Sequence, residues 1–138
     1  MRTEILIIIF ATMLISASCT KNSEYKSLIG DWKLYNANFD TPTLSSAFIF
    51  KAKKSLESSN FNFQQDNHFQ IIDFSNSGGS YTGIWDYSAK TKKLTFFYPD
   101  FKVDPEVFEV IKLSRNSLII RHNIKSVGIL EYKLRKIK

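Results

Sequence analysis

The chain has 138 residues, room for one domain and little more. Lys and Arg number 19 against 13 Asp and Glu, a formal net charge of +6, but the bases are scattered from Lys21 to Lys138; only Lys51, Lys53, Lys54 and the closing Lys133, Arg135, Lys136 and Lys138 gather at all. A dispersed excess of this kind is a solvated surface, which argues against a nucleic-acid partner and leaves attraction to anionic membrane headgroups as the electrostatic alternative, while a single cysteine excludes a disulfide framework.

At the N-terminus, Met1-Arg2-Thr3-Glu4 precedes an 11-residue apolar run from Ile5 to Ile15, followed by Ser16-Ala17-Ser18. As a helix the run rises about 16 Å, roughly half the hydrocarbon thickness, so it reads as a signal peptide over residues 1–18 rather than a span. Small residues suit the narrow subsites of a peptidase. Cys19 comes next, and its thiol can accept a diacylglyceryl group while the amine freed by cleavage takes a further acyl chain. This stretch resembles the lipobox of bacterial lipoproteins, which runs Leu, a small residue, Gly or Ala, then Cys. Ala17, Ser18 and Cys19 match it, whereas Ser16 holds the leucine position and Ile15 stands one place earlier. The resemblance implies a lipid-anchored protein of the bacterial cell envelope, with the bilayer as its partner through acylated Cys19; an ordinary secretory cut leaving a free thiol is the alternative. Two or three acyl chains, palmitate among them, anchor stably where one does not. Residues 19–27 then form the lipidated cysteine and a polar tether. Lys21-Asn22-Ser23-Glu24 resembles the charged signals that send some such lipoproteins to the outer face of the outer membrane, and is equally a plain charged tether; the outer membrane is the expected location rather than the inner.

Beyond the tether, period-two alternation broken by turn residues predicts eight strands, over 31–39, 60–65, 68–74, 80–87, 93–98, 106–113, 117–123 and 127–136. After the first, Thr43–Glu57 follows Pro42 and spaces Leu44, Phe48, Ala52 and Leu56 at steps of four, which predicts a helix covering one end of the fold; read through Phe48-Ile49-Phe50, the same segment adds a strand instead. In the fifth and seventh strands Phe96-Phe97 and Ile119-Ile120 put apolar residues on both faces. The last strand alternates cleanly, Leu130, Tyr132 and Leu134 facing in and Glu131, Lys133 and Arg135 facing out. Short turns at Gln65-Asp66-Asn67, Ala89–Lys92 and Ser114–Asn116, with a flexible loop over Ser75–Gly79, make consecutive strands antiparallel neighbours. The expected class is therefore all-β: an up-and-down meander of eight strands, which closes into a barrel that either fills with side chains or encloses one small ligand.

Specific residues strengthen this reading. Leu28-Ile29-Gly30-Asp31-Trp32-Lys33-Leu34 resembles the Gly-x-Trp opening of lipocalins. Phe61-x-Phe63-x-x-Asp66, Gly83-Ile84-Trp85-Asp86-Tyr87, Lys93-Leu94-Thr95, Phe108-Glu109-Val110-Ile111 and Leu118-Ile119-Ile120 follow in the order of the lipocalin-like domain of small bacterial lipoproteins. The likeness covers about residues 28–137 and rests on order and spacing. It implies that Trp32 closes one end of the barrel beside an arginine from the end of the last strand, for which Arg135 is the match.

The chain carries 12 Phe, 6 Tyr and 2 Trp, which either fill the interior or line a pocket for a flat or greasy ligand; the lining is then Trp85, Tyr87, Phe96, Tyr98, Phe108 and Tyr132. His68 follows a turn and reads as a polar hairpin residue, His122 as a structural histidine facing inward near a mouth, and Asp100, Asp104 and Glu106 as a solvated acidic turn. No catalytic set, cofactor motif or metal-ligand spacing stands out. Two functions fit: non-covalent binding of a small apolar or amphipathic ligand in the barrel, or docking of a filled barrel on an envelope protein partner. A lipid-active enzyme is a third and lacks a catalytic group.

Overall fold

The computed structural model describes residues 23–73 and 79–137. The predicted signal peptide, Cys19 and the tether up to residue 22 lie outside the described residues. Alternation carries through to a closed antiparallel barrel, β1 (Gly30–Asp40), β2 (Ser59–Phe63), β3 (His68–Asp73), β4 (Ser80–Ser88), β5 (Lys93–Phe97), β6 (Glu106–Leu113), β7 (Ser117–Ile124) and β8 (Gly128–Lys136), each paired with its neighbour in sequence and β1 paired with β8. The strands fall within two residues of the expected bounds at either end. Residues 23–28 form a helical segment, α1, and Ser46–Glu57 forms α2 between β1 and β2.

In each adjacent apolar pair the inner member is buried; in β7 that is Ile120, with Ile119 half-buried. Phe97 is 40% exposed while Phe96 is buried, so the outer ring is tolerated on the surface. In β1 and β6 the register slips between Leu34 and Asn36 and between Val110 and Lys112. The extra residues, Tyr35 and Ile111, turn outward, 44% and 42% exposed, and the bulges add the local bend that closure needs.

The helix alternative holds for the segment after Pro42, with two corrections. Ser45 caps α2, its hydroxyl oxygen accepting from the Phe48 amide at 3.3 Å. The stripe at steps of four is not buried as a unit: Phe48 is 56% exposed and only Leu56, near the C-terminal end, packs against the core. Nor are residues 23–27 a loose tether. They are helical, and Tyr25 and Leu28 pack on the end of the barrel where β1 begins.

Gly83 shows how tightly the wall is set. It pairs with Phe69 across β3 and β4, and a Cβ there would lie 2.2 Å from the Phe97 carbonyl oxygen and 2.7 Å from the Phe69 ring. The ring occupies the space a side chain would need. Gly83→Ala is expected to destabilise the fold by about 1–3 kcal/mol in urea denaturation. Gly79→Ala, whose Cβ would meet only Tyr81 at 3.8 Å, is expected to change stability by less than about 0.5 kcal/mol.

Candidate functional site

The two ends of the barrel are built from different residues. At the end where β1 starts, α1 acts as a plug. Tyr25 stacks on Trp85 with ring centroids 4.6 Å apart and hydrogen-bonds to Asn67. The Glu24 carboxylate accepts from the Tyr87 hydroxyl at 2.8 Å and from Lys92 Nζ at 2.7 and 2.9 Å, and these donors, Lys92 first, hold its pKa below the usual carboxylate value. The indole of Trp32 is fully buried and donates to the Leu28 carbonyl at 2.8 Å; that of Trp85 donates to the Gln64 carbonyl at 3.1 Å.

This arrangement corrects three expectations. Trp32 is buried at this end, but the cation over it is Lys136, whose Nζ sits 5.0 Å from the ring centroid and donates to the Ser27 carbonyl at 2.8 Å. Arg135 obeys the alternation of β8 and points outward, where its guanidinium lies 4.9 Å over the Tyr35 ring. A one-residue step along a strand reverses the face, so the two basic neighbours cannot both reach Trp32. Trp85 and Tyr87, expected in a pocket, are engaged by α1 and the 64–67 turn and do not line the cavity.

From the plug upward the interior is filled by rings in contact: Trp85 against Phe63 at 5.5 Å, Phe63 stacked on Phe96 at 5.9 Å, and Phe96 edge-on to Phe108 at 5.3 Å. Above Phe96 the packing stops. The inward positions there are Ser59, Ile71, Asp73, Tyr81 and Glu106, smaller or polar groups that do not meet across the axis. They leave a cavity of about 410 Å³ at the end covered in part by α2. Four expected residues, Phe96, Tyr98, Phe108 and Tyr132, line it, and Leu56, Phe61, Phe101 and Val103 complete the apolar wall. Phe61, Ile71 and Tyr81 were legible in advance as the alternate positions next to Phe63, Phe69 and Gly83 on the same strands. Phe101 and Val103, from the 98–105 loop, carry no such signal.

The polar part of the lining has its own order. Asp73 accepts from the Ser55 and Ser58 hydroxyls at 2.9 and 3.0 Å, tying α2 to β3. Glu106, read from the sequence as part of a solvated turn, instead opens β6 at an inward position. The Tyr98 phenol lies beside it, and the buried His122 Nδ1, which has no hydrogen-bond partner, stands 3.7 Å from its Oε2. His122 does face inward, its ring edge-on to Phe108 at 4.9 Å. His68 is exposed beside Asp66 at the opposite end, consistent with a hairpin residue. Among the described residues no group of three or more His, Cys, Asp or Glu is placed to hold a metal ion.

Three solved structures share this architecture. A lipocalin-like protein from Bacteroides uniformis ATCC 8492 superposes with a TM-score of 0.52 at 22% identity, over 80% of this chain and 99% of that one. The fold is lipocalin-like. An uncharacterized protein from Bacteroides eggerthii DSM 20697 gives 0.53 at 13% identity over 78% of this chain and 98% of its own, and a DUF4847 family protein from Bacteroides vulgatus ATCC 8482 gives 0.51 at 13% over 82% and 96%. No family model and no curated protein matches the chain. The likeness is therefore one of fold, and the lipocalin-like barrel has to be read from its own residues.

The phenols of that barrel titrate late. Burial, followed by the negative charge of Glu106, pushes the Tyr132 pKa up to about 12; burial also raises Tyr98 and Tyr87, each next to a carboxylate. An unfolded phenol ionises near the ordinary value of 10.0, so above that pH the folded state binds more protons than the unfolded one. The stability that Tyr132 contributes in this way is complete below about pH 10 and is lost as pH rises through about 12. Urea midpoints measured at about pH 9 and about pH 11 should fall across that interval, and less so in Tyr132→Phe.

Proposed function

We propose that the protein is a lipid-anchored envelope lipoprotein whose barrel binds a small apolar or amphipathic molecule non-covalently, performing no chemistry on it. The observation that carries this reading is the cavity of about 410 Å³ lined in half by aromatic residues, within the range of about 300–1,000 Å³ usual for small-molecule sites. Mixed character supports an amphipathic ligand: rings below, carboxylates and hydroxyls at the opening.

The anchor fits the same picture. Residue 23 sits at the plugged end, and the four steps of chain back to Cys19 reach at most about 14 Å. Acylation of Cys19 therefore holds the plugged end toward the membrane and turns the opening away, and the anchored face belongs to the outer membrane in this reading. Replacing Cys19 with serine is expected to move the protein from the membrane fraction to the soluble envelope fraction; persistence in membranes would refute the anchor.

For the ligand, the secreted Cys19→Ser protein is expected to retain a small molecule in native mass spectrometry or to bind members of a panel of apolar amphiphiles. Ile71→Trp, which puts an indole into the cavity wall near its opening, should weaken that binding about tenfold or more while leaving the circular dichroism unchanged. A second reading, docking on an envelope protein, is favoured by one feature of the outer surface: Ile84 and Phe97 pair across β4 and β5 and stay 41% and 40% exposed, with Val107 also exposed. Absence of any bound or bindable molecule, together with loss of a co-purifying envelope protein in Phe97→Ser, would favour docking.

A further inference from the structure

We infer that the cavity selects amphiphiles carrying a positive charge, an alkyl or aryl ammonium, over neutral and anionic ones; this rests on the ligand-binding reading above. The charges around it run against the charge of the chain. Although basic residues outnumber acidic ones 19 to 13, the lining among the described residues includes Asp73 and Glu106 and no Lys or Arg. Both carboxylates come from strand ends at the opening, Asp73 closing β3 and Glu106 beginning β6, so a ligand entering head-last leaves its polar group at the end where both stand.

Glu106 is the centre of the inference. Its near neighbours are a phenol, Tyr98, and an imidazole, His122 at 3.7 Å, rather than an ammonium or guanidinium. Its side chain is 42% exposed, within reach of a ligand at the opening. Phe96, Phe108 and Tyr132 also line the cavity, their rings set at 66° in the first pair and 41° in the second. Ring faces attract cations, and a charge partly withdrawn from water feels nearby carboxylates more strongly than it would in bulk. A carboxylate or phosphate head would meet the same groups with the opposite sign. The lysines of α2 and Lys102 do not line the cavity; Lys51, Lys54 and Lys102 are exposed, where salt screens them.

The test uses three probes of one chain length, decyltrimethylammonium, 1-decanol and decanoate, titrated calorimetrically into the secreted Cys19→Ser protein below micelle-forming concentrations. The expected result is that the ammonium binds about tenfold more tightly than either of the others, and that this preference shrinks as salt is raised. Glu106→Gln, a change of charge without change of shape, should bring the ammonium to within about threefold of decanol measured on the same variant. Asp73→Asn is a second, independent removal of charge and should reduce the preference in the same direction. Decanol or decanoate binding as tightly as the ammonium, or a preference that survives Glu106→Gln and Asp73→Asn in folded protein, overturns the charge selectivity and leaves the carrier reading intact. Binding of none of the three, with no retained molecule, overturns both.

Discussion

The structure depends on the ladder that joins its first and last strands. Between β1 and β8, Trp32 pairs with Lys136, Leu34 with Leu134 and Phe39 with Leu130, with one slip at Tyr35. Without that ladder the meander is an open sheet with two free edges, and its inward rings have nothing opposite them. The slip is part of the solution. It absorbs one residue of β1, restores the inward placement of Ala37 beyond it, and adds the curvature by which the ends of the sheet meet.

Closure alone leaves the interior undecided, and here side-chain volume takes over. Toward the plugged end, Trp32, Phe63, Trp85, Leu94, Leu118 and Leu134 are completely or almost completely buried and fill the axis. Toward the other end the inward positions shrink or become polar, and the rings below them have no partners above. A filled core and a hollow barrel, which seem exclusive from composition, are thus successive layers of one interior. The plug strengthens the division, because α1 satisfies the polar groups of Trp32, Tyr87 and Lys136 at one end and leaves the other open.

Electrostatics follow the same axis. At the plugged end Lys136 is partly withdrawn from water, its pKa lowered by burial and then by Arg115, and its charge is spread over a ring face and a carbonyl. At the opening the charged residues of the cavity lining, among the described residues, are both acidic, Asp73 and Glu106. A net charge read from composition says nothing of this separation, since strand parity and strand ends, not totals, decide which charges face inward.

Much was legible in the residues themselves. Period-two alternation follows from the pleat, which is local, and turn residues follow from backbone sterics, so the eight strands, their antiparallel order and the barrel class could be read along the chain. The parity of Phe96, Tyr98, Phe108 and Tyr132 likewise carried four of the six expected lining residues into the cavity. What parity cannot supply is height along the axis: Trp85 and Tyr87 face inward like the others, but register against β5 and the packing of α1 put them at the plug. The alternation of β8 already turned Arg135 outward, against the resemblance that set it beside Trp32, but spacing could not place Glu106 inside rather than on a turn, or show that α2 exposes Phe48. Those outcomes depend on where strands separated by many residues come to lie side by side, and that is settled only when the sheet closes on itself.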